Sequence, residues 1–281
     1  MVRTGYEQVV AHRTSDMFAY SARKAGKVIS VSDTGIVIEY EDGEQKGIEL
    51  GRRFGSAAGL TIPHEVITDM KIGQKFKEGE IIAFNSGFFQ RDFLNPSNVV
   101  WKSGITIKTA LMESTKTFED SSSISKRVSE LLTTKVTYVR TVIINFADSV
   151  RKLVKINDVV EPEDILCIIE DPVTSSANVF DEETINTLKM LSAHTPQAKY
   201  KGKVERIIAY YYGDKEDMSE SLRTIANMSD RELSNRNRSM GKKTFTGRVD
   251  DSFRVEGDPI PLDSMAIQIY ITADVPAGTG D

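Results

Sequence analysis

The first hundred residues alternate short apolar runs with turn-forming clusters, a strand pattern. Val28-Ile29-Ser30-Val31 and Ile36-Val37-Ile38-Glu39-Tyr40 flank Ser32-Asp33-Thr34-Gly35, whose residues tolerate tight turns, so a hairpin is predicted. Asp42-Gly43 supplies a second hairpin signal before Gly47-Ile48-Glu49-Leu50. In the stretch 72–83, Gly73 and Gly79 sit where tight turns should interrupt two short strands. A similar phrase returns at 156–166, from Ile156-Asn157-Asp158 to Asp164-Ile165-Leu166. The two do not form a repeat array; one turn-then-strand device is used twice.

Helical spacing is confined to three places. Ile124, Val128, Leu131 and Leu132 fall on one face of a helix, preceded by Glu119-Asp120 and Ser121-Ser122-Ser123 as a helix start. Asp181 can cap a helix carrying Ile185, Leu188 and Leu191. Between Met218 and Ser239, Leu222, Ile225 and Ala226 share a face, and a helical pair is expected, broken by a capping box at Ser229-Asp230-Arg231-Glu232 and stopped by Gly241. Strands are expected at 136–146, rich in β-branched residues, at 204–212, and at 265–271, which alternates. The fold class is mostly β (α+β) with short helices, and the best division falls near 172.

Composition then narrows the classes. Hydrophobic residues make up 40% and charged residues 27% of 281, ordinary for a globular protein. One cysteine, Cys167, excludes a disulfide framework and any zinc site needing two thiolates; its apolar strand run favours packing over reactivity. His12, His64 and His194 lie in no ligand spacing. There is no membrane-length apolar run and no apolar signal-peptide core at the start, so an intracellular location is expected. Phosphate-loop, dinucleotide-turn and serine-elbow motifs are absent.

The net charge of −5 argues against nucleic acid only when averaged over the chain. Residues 161–172 carry five acids and no Lys or Arg. Residues 223–248 hold Arg223, Arg231, Arg236, Arg238, Lys242, Lys243 and Arg248 against Asp230 and Glu232, a local +5. That stretch is either a solvated helical face or a contact for nucleic acid or an acidic partner. The adjacent carboxylates Glu119-Asp120 could approach a phosphate-bound Mg²⁺, or could simply complement a helix dipole.

In order, the segments resemble the second-largest (β) subunit of multisubunit DNA-directed RNA polymerases. Arg3-Thr4-Gly5-Tyr6-Glu7 stands where that family has Gly-Thr-Gly-Met-Glu. The hairpin from Gly26-Lys27-Val28 follows, then 73–83 resembles Gly-Gln-x-Val-x-x-Gly-Asp-x-Ile-Ala. Phe118-Glu119-Asp120-Ser121 and Ser125-Lys126-Arg127-Val128 are similar to Phe-Glu-Asp-Ala/Ser and Ser-Glu-Arg-Val. Residues 159–166 occupy the slot of Val-x-Pro-Gly-Asp-Ile-Leu, and Lys201-Gly202-Lys203-Val204 leads into the flap or wall slot. Met112–Thr117 replaces the family's Met-Pro-Trp-x-Gly-Tyr-Asn. Such divergence resembles the split subunits of large bacteriophages.

The resemblance implies a double-psi-barrel-type, hybrid-binding β region over 1–171, a flap/wall module with a short helical hairpin over 172–262, and a return strand toward the catalytic barrel over 263–281. It implies transcription by a complex, inactive as this chain alone, whose catalytic Mg²⁺ is held mainly by a β′-like partner. Glu119 and Asp120 would lie on the nucleotide and metal side, and the cations of 223–248 would contact nucleic acid. The basic residues that follow a Gly-Asp pair in the family would be either absent or supplied by a continuation after Gly280-Asp281. Further partners implied are the remaining β segments, DNA template, RNA transcript and an initiation factor; the location would be host cytoplasm or a virion. A non-catalytic phage binding or assembly module using the same β devices is the competing class. A lipoyl-type carrier fails for want of a hairpin-tip lysine between the two paired phrases.

Overall fold

A computed structural model describes residues 4–57, 60–102, 104–111, 122–170, 194–243 and 245–278. The protein is mostly β, with antiparallel sheets and few helices. It divides into two compact units, residues 1–136 with 274–281, and residues 137–273. The division expected near 172 meets a segment outside the described residues, and residues 137–170 group with the later part of the chain instead. The reason is in the sheet. The strand at 136–146 belongs with the strands at 204–212 and 265–271, far away in sequence.

In the first unit, α1 (Tyr6–Val9) precedes β1 (Ala19–Ser21), β2 (Gly26–Ser32), β3 (Gly35–Tyr40), β4 (Gln45–Glu49), β5 (Gly51–Ala57) and β6 (Leu60–Ile67). Then follow β7 (Lys75–Phe76), β8 (Ile81–Asn85), β9 (Phe89–Arg91), β10 (Val99–Trp101) and α2 (Lys126–Leu131). Strands β4-β3-β2-β7 make one sheet; β1, β8, β6 and β5 are neighbours in another. The predicted hairpin is β2–β3, paired from Gly26↔Tyr40 to Ser32↔Gly35 around a two-residue turn. Tyr20, Val28, Ile36, Ile38, Phe76 and Ile82 form its core.

The expected helix start at 121–123 is not where α2 begins. Ser125 caps it, accepting a 3.3 Å bond from the amide of Val128, and the helix lasts six residues. Its apolar stripe is not a core face either: Ile124, Leu131 and Leu132 are all exposed.

The second unit holds most of β11 (Thr134–Asn145), then β12 (Ser149–Leu153), β13 (Val159–Val160), β14 (Cys167–Glu170) and β15 (Gly202–Tyr212). Next come α3 (Glu220–Ser239), β16 (Arg254–Val255), β17 (Asp258–Pro259) and β18 (Ser264–Val275). The sheet order β11-β18-β15-β13 confirms the three expected strands, and β12 pairs β14. Val142, Ile144, Leu166, Val204, Leu222 and Ile269 belong to one core.

The recurring phrase is deeper than its sequence suggests. In 71–82, Gly73 N donates to Val28 O and Val28 N to Gln74 O; Gly79 N donates to Ala22 O and Ala22 N to Glu80 O. In 155–166, Asn157 N donates to Val204 O and Val204 N to Asp158 O; Glu163 N donates to Ala198 O and Ala198 N to Asp164 O. Each of the two units therefore carries the same backbone frame. Gly26-Lys27-Val28 in one is Gly202-Lys203-Val204 in the other, and both strands bulge directly after the valine. Ala83 and Cys167, and Ile82 and Leu166, are buried alike at matched positions, whereas Ile81 is buried and its counterpart Ile165 is exposed. The two glycine turns have φ of 79° at Gly73 and Gly79; Asn157 and Glu163 take 78° and 73° without glycine. Where the first hairpin turns in two residues, the second inserts 213–263, which carries α3.

Candidate nucleic-acid interface

Helix α3 forms because Glu220 opens its first turn and Leu222, Ile225 and Ala226 recur on one face. Leu222 and Ala226 are fully buried. Its end is a Schellman motif: Gly241 N donates to Arg238 O and Lys242 N to Asn237 O, both at 3.0 Å, with Gly241 at φ 65°. Gly241 is thus the stop that the sequence predicts.

The expected break at Ser229 is absent, and one 20-residue helix replaces the helical pair. Ser229 and Asp230 do not cap. The Ser229 Oγ accepts from Ala209 N at 3.0 Å, inside the sheet. Asp230 accepts from Gly247 N at 2.6 Å and from the Tyr211 hydroxyl at 3.0 Å, and pairs with Lys215 Nζ at 2.5 Å. These partners remove the need for a helix break, because both polar groups are satisfied by β15 and its flanks. Burial, then the Asp230 charge, push the Tyr211 hydroxyl up to about 12.

The seven cations of 223–248 do not act as one set. Arg223 donates to the carbonyls of Lys215, Glu216 and Met218, closing the turn before the helix. Arg248 pairs with Asp214 at 2.8 Å. Arg236 is partly buried, with its Nε shielded. Arg231, Arg238, Lys242 and Lys243 remain exposed, two on the helix seven residues apart and two just beyond its end. Residues seven apart share a helical face. Of the seven, only these four present free charge in a form that a phosphate backbone could use.

Two recesses lie in the second unit, the first against α3. An apolar groove of about 490 Å³ runs between Leu153, Ile156, Ile207, Ile225 and Met228. A polar recess of about 520 Å³ lies by Tyr211, Lys215 and Arg248.

Glu119 and Asp120 lie outside the described residues, as does the helix expected after Asp181. Among the described residues, no three of His, Cys, Asp and Glu gather as metal ligands. His64 is buried, its Nδ1 2.6 Å from Asn85 Nδ2, and desolvation lowers its pKa. His12 spans Ser21 and Asn98 on the surface. Cys167 is fully buried, which pushes its thiol up to about 11 and fits the packing role expected of it.

Sequence reasoning missed one constellation in the second unit. Tyr138 and Tyr200 stack with ring centroids 3.9 Å apart and planes 20° apart. Arg140 and Lys199 line the surface beside them. The available signal was the alternation of aromatic and basic residues at Lys199-Tyr200-Lys201 and Tyr138-Val139-Arg140. Comparison with models of known protein families and with curated proteins gives no match for this chain.

Proposed function

We propose that the chain is a β-like component of a multisubunit DNA-dependent RNA polymerase, resembling the split subunits of large bacteriophages. The observation that carries this reading is the ordered series of phrases from 3–7 through 73–83, 118–128 and 159–166 to 201–204. Added support comes from 71–82 and 155–166, which share one hydrogen-bonded frame although their sequences differ at both glycine positions. In this reading the β-rich first part corresponds to the hybrid-binding, double-psi-barrel-type region, and the 213–263 insertion with α3 to the flap or wall.

The reaction is then nucleotidyl transfer carried by the assembly and not by this chain alone. A β′-like partner would mainly hold the Mg²⁺, which would supply charge stabilisation for the nucleotidyl transfer. Glu119 and Asp120 serve the nucleotide side, while Arg231, Arg238, Lys242 and Lys243 hold an RNA or DNA backbone. DNA template, RNA transcript, the remaining β segments and an initiation factor complete the set of partners.

The test is Glu119→Ala with Asp120→Ala in an assembly reconstituted with a β′-like subunit and the remaining β segments. Nucleotide addition should slow while the subunits still co-elute. Unchanged elongation removes the two acids from the site.

A further inference from the structure

We propose that the Tyr138–Tyr200 pair, with Arg140 and Lys199, forms a binding surface for single-stranded nucleic acid in the second unit, separate from the cations of α3. Tyr138 and Arg140 stand two apart on β11, on the face that farther along carries the buried Val142 and Ile144. Tyr200 follows Lys199 directly and leads into β15. One face of the Tyr200 ring is taken by Tyr138, yet the residue remains 49% exposed. A stacked pair with its outer ring open offers a rigid platform for an unpaired base.

Arg140 and Lys199 also line a recess of about 500 Å³ shared with Glu163, His194 and Gln197. That volume lies in the range of small-ligand sites. The Nε of Arg140 is shielded from solvent and has no acceptor among the described residues. With no carboxylate partner among the described residues, the Arg140 guanidinium is available to pair with a phosphate that enters the recess. Lys199 has no carboxylate partner among the described residues, whereas its neighbour Lys201 is held by Glu161 at 2.5 Å. Among the recess-lining residues Glu163 is the acid that opposes an anion. A phosphate between Arg140 and Lys199, with its base on Tyr200, uses both cations and the exposed ring of the patch. Duplex nucleic acid, whose bases are already stacked, does not. The surface stands whether or not the chain joins a polymerase.

The experiment is fluorescence anisotropy of a 5′-fluorescein dT12 with the full chain at low salt. The chain should bind dT12. Tyr200→Ala should weaken binding about tenfold, and Tyr200→Phe should preserve it. Arg140→Gln with Lys199→Gln should weaken it similarly and flatten the salt dependence by about 0.7 in log–log slope for each phosphate no longer neutralised. Glu163→Gln should tighten binding, a gain that misfolding does not produce. The Tyr200→Ala loss should persist when Arg231, Arg238, Lys242 and Lys243 are changed to Gln. No binding of dT12, wild-type affinity in Tyr200→Ala, or a 12-base-pair duplex binding as well as dT12 would each overturn the proposal. So would equal competition by polyglutamate, which assigns the effect to bulk charge, or by thymidine monophosphate, which assigns it to a free nucleotide.

Discussion

Asp230, near the middle of α3, accepts a hydrogen bond of 3.0 Å from the hydroxyl of Tyr211 on β15. The same carboxylate holds Gly247 N and Lys215 Nζ, so one buried acid ties the helix to the strand beneath it and to the segments before and after the helix. Gly247 must be glycine there, because a Cβ would come 2.2 Å from Ala209 O. Asp230→Ala strands two donors and a cation and should destabilise the chain by about 2–3 kcal/mol. Asp230→Asn, which keeps an acceptor, should cost less. Urea denaturation followed by far-ultraviolet circular dichroism measures both; a loss below about half a kcal/mol for Asp230→Ala contradicts the tie.

Buried tyrosines make the fold base-sensitive. Tyr211 is raised to about 12 by burial and by Asp230, and Tyr20 is raised by burial and by its 2.6 Å bond to Tyr40. The unfolded value is about 10. A folded phenol that keeps its proton longer contributes stability fully present below about pH 10. That stability is lost as pH rises through the folded pKa. Stability should therefore fall between about pH 10 and 12, by up to about 1.4 kcal/mol per pH unit for each such tyrosine. Tyr211→Phe should flatten part of that fall. Urea midpoints at about pH 8, 10 and 11 give the slope, and a flat profile contradicts the assignment.

The shared backbone frame predicts matched responses at matched positions. A Cβ at Gly26 would meet Glu39 O at 2.3 Å, and one at Gly202 would meet Thr272 O at 2.8 Å. Gly26→Ala and Gly202→Ala should each destabilise by about 1–3 kcal/mol. Opposite in sign, Glu163→Gly relieves a left-handed φ of 73° and should stabilise by about 0.5–1 kcal/mol. A destabilised Glu163→Gly would mean that the side chain has a structural role of its own.

The exposed cations on α3 and just beyond its end should behave as a unit. Changing Arg231, Arg238, Lys242 and Lys243 to Gln should leave the melting temperature within a few degrees, because exposed charges contribute little to stability. Binding to an RNA–DNA hybrid should weaken and become less dependent on salt. Arg223→Gln should instead lower stability, because Arg223 closes three carbonyls. Thermal melts and filter binding separate the two classes.

Local signals were legible and distant ones were not. The β2–β3 hairpin, the turns at Gly73 and Gly79 and the stop at Gly241 rest on residues within a few positions of one another. Ser229-Asp230 reads as a capping box because sequence shows the neighbours at 231 and 232 but not the real partners, 15 to 20 residues away. The second frame was half hidden, since Asn157 and Glu163 adopt left-handed backbone where glycine would have announced it. The Tyr138–Tyr200 stack joins residues 62 apart through strand order alone. Net charge misled when averaged: of seven cations in 223–248, four remain free at the surface.

Omission of the chain tests its membership in a polymerase. A β′-like subunit carrying an Asp-x-Asp-x-Asp sequence and the remaining β segments are assembled with and without this chain and given a primed RNA–DNA scaffold, Mg²⁺ and nucleotides. RNA extension should require this chain, the chain alone should extend nothing, and it should co-elute with the assembly. Equal extension without it, or failure to associate with the β′-like subunit, would contradict its place in a polymerase.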